Sequence, residues 1–170
     1  TRYKHDDDGN LIEKTDVLGD TTRYRWNGAG MLSAVELPDG REVRFTYDAM
    51  ARRLTKQVFE KTDDGALRPA KEVRWFWDGN NPLVELDTEQ GKTTWLFDPE
   101  TFSPLAKLAQ GQIWGVLTDQ IGTPTELISF DGQFTFRLAT TLNAPPRTII
   151  GRSIDAIWWA PGQHVDQESN

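Results

Sequence analysis

His164, Asp166 and Ser169 are the residue types of a nucleophilic catalytic set, in which a carboxylate orients a histidine that takes a proton from a hydroxyl. Their placement argues against that chemistry. All three lie within six residues near the end of a 170-residue chain, and a triad needs its base held by a buried acid. A solvated tail describes them better, and the other histidine, His5, is far away in the sequence. The run Asp6-Asp7-Asp8-Gly9-Asn10 opens like a calcium loop. Such a loop needs a glycine for its sharp turn and a closing bidentate glutamate, and Leu11 and Val17 stand in those places. A charged turn is the expectation there. Cysteine is absent, which excludes disulfides, thiolate metal sites and a cysteine nucleophile. No catalytic residue, cofactor or metal is expected.

The remaining candidates are carboxylates that recur. Asp6, Asn27, Asp48, Asp78, Asp98 and Asp119 are spaced by 21, 21, 30, 20 and 21 residues, and the first five follow His5, Trp26, Tyr47, Trp77 and Phe97. Each opens a cluster of turn residues, where Asp and Asn side chains bond backbone two residues on. Their expected role is therefore structural. A glycine series interleaves with them at Gly19, Gly40, Gly65, Gly91, Gly111 and Gly132. The step from acid to glycine is 13 residues in five of six units and 17 from Asp48 to Gly65. The return step, 7 or 8 residues elsewhere, is 13 after Gly65. Both arms of one hairpin are lengthened, which makes the hairpin turning at Asp64-Gly65 the longest.

Elements that repeat in this way are strands joined by tight turns. Asp-Gly and Gln-Gly pairs at 39–40, 64–65, 90–91, 110–111 and 131–132 supply the positive φ that hairpin turns require. Between turns the side chains alternate, with Val43, Phe45 and Tyr47 on one face and Glu42, Arg44 and Thr46 on the other. Aligning the units places Tyr24, Trp26, Phe45, Tyr47, Trp75, Trp77, Trp95 and Phe97 on a common face, expected to pack as cross-strand neighbours. Together with Gly40, Gly65, Gly91, Gly111 and Gly132 they are the structural repeat positions. The opposite face reads Lys4, Arg25, Thr46, Phe76, Leu96, Leu117, turning from polar to apolar, so the later strands are expected to be covered on both sides. Arg52 and Arg53 are placed on the polar face. The fold class is all-β, an antiparallel meander with a period of about 21 residues. Asn143–Thr148, with its two prolines, is expected to be a loop, and 134–142 an unpaired edge through which the chain self-associates or binds a partner.

Bulk properties narrow the partners. A net charge of −7 disfavours binding to nucleic acid or an anionic membrane surface, and no apolar run is long enough to span a bilayer. Seven Trp and eight Phe in so polar a chain must be packed against something.

The unit resembles the YD repeat of the Rhs protein family, roughly Tyr-Asp-x-x-Gly-Asn-Leu. It is carried by HDDDGNL at 5–11, WNGAGML at 26–32 and YDAMARRL at 47–54, where Ala51 replaces the glycine. LTDQIGTPTEL at 117–127 and APGQHVDQESN at 160–170 resemble the two ordered segments that close the family's core. A further unit due near residue 140 has no tyrosine or aspartate, so 1–136 is taken as the repeat region and 137–170 as a degenerate closing segment. The resemblance implies a piece of a hollow β-shell, or cocoon, that encloses a C-terminal toxin. It implies a non-enzymatic role in toxin delivery between bacteria. The chain starts in mid-repeat and stops before the family's Asp-Pro-x-Gly motif, as expected of a C-terminal shell segment or an orphan remnant lacking toxin and protease. The implied partners are the toxin domain, other Rhs core segments and type VI secretion components. The implied location is the bacterial cytoplasm before export, then the target cell. The alternative is a sheet module that binds a partner protein or a glycan through its aromatics.

Overall fold

The computed structural model describes residues 1–99, 101–120, 122 and 124–129 in full, and residues 134–141, 144–150, 157–160 and 163–165 as backbone strands. Every regular element among them is a strand. The described residues divide into two compact units, the first holding Thr1–Trp75 with the turn Asp87–Glu89, the second Phe76–Leu86 and the described residues from Gln90 to Val165.

The first unit is a meander of β1 (Arg2–His5), β2 (Leu11–Thr15), β3 (Thr21–Trp26), β4 (Leu32–Glu36), β5 (Glu42–Tyr47), β6 (Arg53–Lys61) and the first part of β7 (Leu67–Asp78). Each strand pairs antiparallel with the next. β6 and β7, with 9 and 12 residues, form the longest hairpin, as the stretched spacing around Gly65 requires.

In the second unit β8 (Asn81–Asp87), β9 (Gly91–Phe97), β10 (Pro104–Ala109), β11 (Gln112–Thr118), β12 (Pro124–Ser129), β13 (Phe134–Thr141) and β14 (Ala144–Ile150) again follow chain order. β15 (Ile157–Ala160) and β16 (Gln163–Val165) pair only with each other.

Two expectations are corrected here. Segment 134–142 is not an unpaired edge. β13 pairs with β12 through Phe136–Leu127 and with β14 through Ala139–Arg147. Nor is 143–148 simply a loop, since Ala144–Ile150 is a strand. It is the last strand in the sheet order, so one of its two consecutive prolines can face the side that needs no N–H donor, and the pair falls where the register with β13 shifts between Ala139 and Thr141.

Candidate functional site: the repeat turns and the aromatic face

The first three residues of the repeat series, Asp6, Asn27 and Asp48, hold turns, and so does Asp16. At Asp6, Asp16, Asn27 and Asp48 the N–H of the first turn residue donates to the carbonyl four residues on, and the N–H of the fourth donates back to the first carbonyl. The side-chain Oδ1 of the first residue then accepts the N–H groups two and four residues ahead, at 2.8–3.1 Å. A carboxylate and an amide oxygen do this equally well, which explains why Asn27 can replace Asp. The turns at Leu37 and Thr62 have the same backbone bonds, with Asp39 and Asp64 two residues in accepting the N–H of Arg41 and Ala66. The fourth residue of these turns has positive φ, as at Gly40 (87°) and Gly65 (82°). Ala51 alone among them takes that conformation without being glycine, at φ 62°.

These bonds stabilise the ionised carboxyl. Donation from the Asn10 side chain holds Asp6 below the ordinary aspartate range, and donation from Thr62 does so for Asp64. For Asp48, desolvation pushes upward but is outweighed by the backbone and side chain of Arg52, whose guanidinium lies 2.6 Å away. The run at 6–10 is the charged turn expected of it, with the Asp6 carboxylate accepting from the Asp8 and Asn10 N–H groups and from the Asn10 side-chain amide.

The aromatics before Asn27 and Asp48 have a task that sequence reading missed. Trp26 Nε1 donates to the carbonyl of Leu11 at 2.8 Å, and Tyr47 OH donates to that of Leu32 at 2.8 Å. Leu11 and Leu32 close the turn of the preceding repeat. The aromatic of one unit therefore hooks the leucine of the one before, a link between both ends of the Tyr-Asp…Leu signature. The regular separation of 15 residues was the available signal.

The other ladder residues form two cores. In the first unit Val35, Val43, Phe45 and Val58 are buried together, with Tyr24 and Tyr47 packed against them. In the second, Trp95, Trp114, Val116 and Leu127 are buried together with Phe97 against them. Trp95 is 1% exposed and donates Nε1 to Glu85 Oε1 at 3.1 Å. Trp75 is buried and Trp77 half-buried. Trp114 was not among the expected positions, although the alternation Trp114, Val116, Thr118 carries it.

The aromatics of successive repeats were expected to be cross-strand neighbours, but each repeat holds two strands, so another strand stands between them. Lys56 stands between Phe45 and Val73, and Lys107 between Trp95 and Trp114. Both lysines are buried, and the Lys107 ammonium lies 5.3 Å from the Trp95 ring centre. Arg53, expected on the polar face, lies over Phe45 at 4.4 Å, while Arg52 pairs with Asp48. Ring faces attract such cations, and their long alkyl stems fill space between strands.

The opposite face differs between units. In the first, Arg25 bonds Glu36 and Glu42 at 2.7 and 3.0 Å, Arg44 bonds Glu42 at 2.6 Å, and Arg74 bonds Glu72 at 2.8 Å. In the second, Leu96, Ile113 and Leu117 are 46–51% exposed. The expectation that these later strands are covered on both faces therefore fails for the described residues.

Among the expected turn glycines, Gly91 and Gly111 have φ of 83° and 74°. Gln110 joins Gly111 at positive φ (51°), the two-residue turn whose twist suits a hairpin. Gly132 and the side chains of His164, Asp166 and Ser169 lie outside the described residues.

The family model of the RHS repeat matches residues 5–41 and 26–59, covering the turns at Asp6, Asn27 and Asp48. The repeats of residues 5–59 belong to the Rhs/YD-repeat family. The chain is 40% identical over 113 residues to Toxin protein Tse5 of Pseudomonas aeruginosa, covering 64% of the chain and 8% of that protein. It is 26% identical over 163 residues to Probable deoxyribonuclease RhsA of Dickeya dadantii, covering 89% of the chain and 10% of that protein. The chain thus spans about a tenth of these relatives. Among solved structures, the crystal structure of TcdB2-TccC3-Cdc42 aligns with a TM-score of 0.47 at 11% identity, over 84% of this chain and 10% of that one.

Proposed function

We propose that this Rhs chain is a non-enzymatic wall segment of a β-shell that encloses a C-terminal toxin during delivery to a competing cell. The observation that carries this reading is the use of the repeat residues. The turn carboxylates at Asp6, Asp16 and Asp48 are taken up by backbone N–H groups, and the ladder rings are buried at Phe45, Trp75 and Trp95 and half-buried elsewhere, which supports the repeat as a wall. The relatives named as a toxin and a probable deoxyribonuclease support it, each being about ten times the length of the matched segment. In this proposal the aromatic positions and turn glycines are structural, residues 1–136 are the repeat sheet and 137–170 a degenerate closing segment. The partners are the toxin domain and other core segments. The route is type VI secretion, from the cytoplasm of the producing cell.

Protection tests it. A longer Rhs protein carrying this segment is compared with one lacking residues 1–129 for protease cleavage of its C-terminal domain. The proposal expects the domain to be protected only when the segment is present. Equal cleavage rates contradict it.

A sheet module that binds a partner protein is the second reading, favoured by the exposed Leu96, Ile113 and Leu117. A glycan fits less well, because Trp75 and Trp95 are 5% and 1% exposed and offer no open ring face.

A further inference from the structure

One glycine serves no purpose inside its own chain. Gly115 lies in the middle of β11, where glycine weakens a strand because it has no side chain to pack. It does not take positive φ. A Cβ built there would meet the Ile128 carbonyl oxygen at 3.9 Å, an ordinary contact distance. Neither backbone conformation nor internal packing therefore asks for glycine. Glycine inside a strand also marks a place where something approaches closely from outside.

The register places Gly115 in a depression. Its cross-strand row runs Leu96, Ala106, Gly115, Ile128 from β9 to β12, with the two smallest residues at the centre. Side chains two residues away along a strand stand on the same face. On one side of the row these are Leu108 and Ile113, themselves paired, and on the other is Leu117. Gly115 is exposed, and Leu96, Ile113 and Leu117 are each close to half exposed. Leucine and isoleucine side chains thus ring an uncharged floor of Ala106 and Gly115. Glu126, opposite Leu117, brings a charge to the rim.

We propose that this depression takes one large apolar side chain, a phenylalanine or leucine, from a short segment of a partner polypeptide lying across β9–β12. Size selects the occupant. Around the depression, side chains near half exposure leave of the order of a few hundred Å² of apolar surface. A stable interface buries about 800 Å² on each partner, which argues against a second copy of this chain. A lone anchor seated in a small pit is instead how a short segment concentrates its affinity. The net charge of −7 disfavours an anionic membrane as the occupant. The inference rests on the second reading above, in which this face binds a partner protein, and names the group that binds. The shell reading is independent of it.

Two blocked peptides, Ser-Leu-Ser-Phe-Ser-Leu-Ser and its Ala-centred counterpart, are titrated into the full 170-residue chain with the amide and methyl spectra as readout. Shifts are expected at Leu96, Ala106, Gly115, Leu117 and Ile128. The phenylalanine peptide is expected to bind about tenfold tighter, the difference that burying one ring should make. Gly115→Val fills the depression. It is expected to erase that preference while leaving the urea midpoint unchanged or higher, since valine suits an extended strand. A lowered midpoint overturns the proposal, because the glycine would then serve the chain's own fold. Shifts on this face without a phenylalanine preference, or a preference that survives Gly115→Val, overturn the anchor and spare the partner-binding reading. No shift at millimolar peptide, or shifts confined elsewhere, overturns both.

Discussion

The two units share one sheet face and differ in the other. In both, the inward face is aromatic and aliphatic, built on Phe45 with Val35 and Val43 in the first unit and on Trp95 with Trp114 in the second. On the opposite face the first unit carries Arg25, Glu36, Glu42 and Arg44 in mutual ion pairs, while the second carries exposed Leu96, Ile113 and Leu117. The aromatic face is therefore what the repeat is for, and the second face is free to take its surroundings into account. A charged ladder faces water. A leucine-rich face leaves apolar surface against water.

The comparison can be broken most readily in the cores. Trp95→Ala should cost about 3–5 kcal/mol, as for other buried aromatics cut to alanine, read from the urea midpoint. The paired change Leu96→Thr with Ile113→Thr, on the open face of the same unit, should stay within about 0.5 kcal/mol while reducing binding of an apolar dye. A large loss in the double variant would mean that the face is covered after all.

Acid should separate the units next. The carboxyls held below their ordinary range include Asp6, Asp39, Asp48, Asp64 and Glu72, all in the first unit. A depressed folded value contributes stability that is complete above the unfolded carboxylate pKa of about 4 and is lost as pH falls through the lowered values. Amide exchange in β1–β6 should therefore accelerate below about pH 4. Exchange that is unaltered between pH 5 and 3 would detach these carboxylates from folding.

Smaller effects sharpen the repeat itself. Tyr47→Phe removes the hook to the Leu32 carbonyl and should cost about 1 kcal/mol in the urea midpoint. Ala51→Gly should stabilise by about 0.5–1 kcal/mol, because the left-handed conformation at φ 62° suits glycine. A destabilised Ala51→Gly variant would show that the methyl group packs more usefully than its strain costs.

Much of the fold is legible in spacing alone. The 13-residue and 8-residue steps place turns, and the one stretched unit places the longest hairpin. What spacing cannot supply is register. Whether Arg53 lies with Phe45 or with the charged face depends on the shift between Thr46 and Tyr47, where one extra residue turns the strand. The burial of Lys56 and Lys107 has the same origin, since both enter the aromatic face only through their partners across the ladder. The hooks from Trp26 and Tyr47 needed a knowledge of which carbonyl comes within reach. The prolines of β14 were misread because an edge strand and a loop look alike in sequence when one side has no partner.

The central claim is that the aspartate of the Tyr-Asp signature works as a turn acceptor rather than as a reactive carboxylate. The direct measurement is the denaturation midpoint of Asp48→Asn beside that of Asp48→Ala. The amide oxygen of Asn can still accept from Met50 and Arg52 N–H, as Asn27 does from Ala29 and Met31. The account predicts a loss of about 1–2 kcal/mol for the alanine variant and less than half of that for asparagine, the remainder being the half-buried pair with Arg52. Equal losses in the two variants, or none in either, would contradict it.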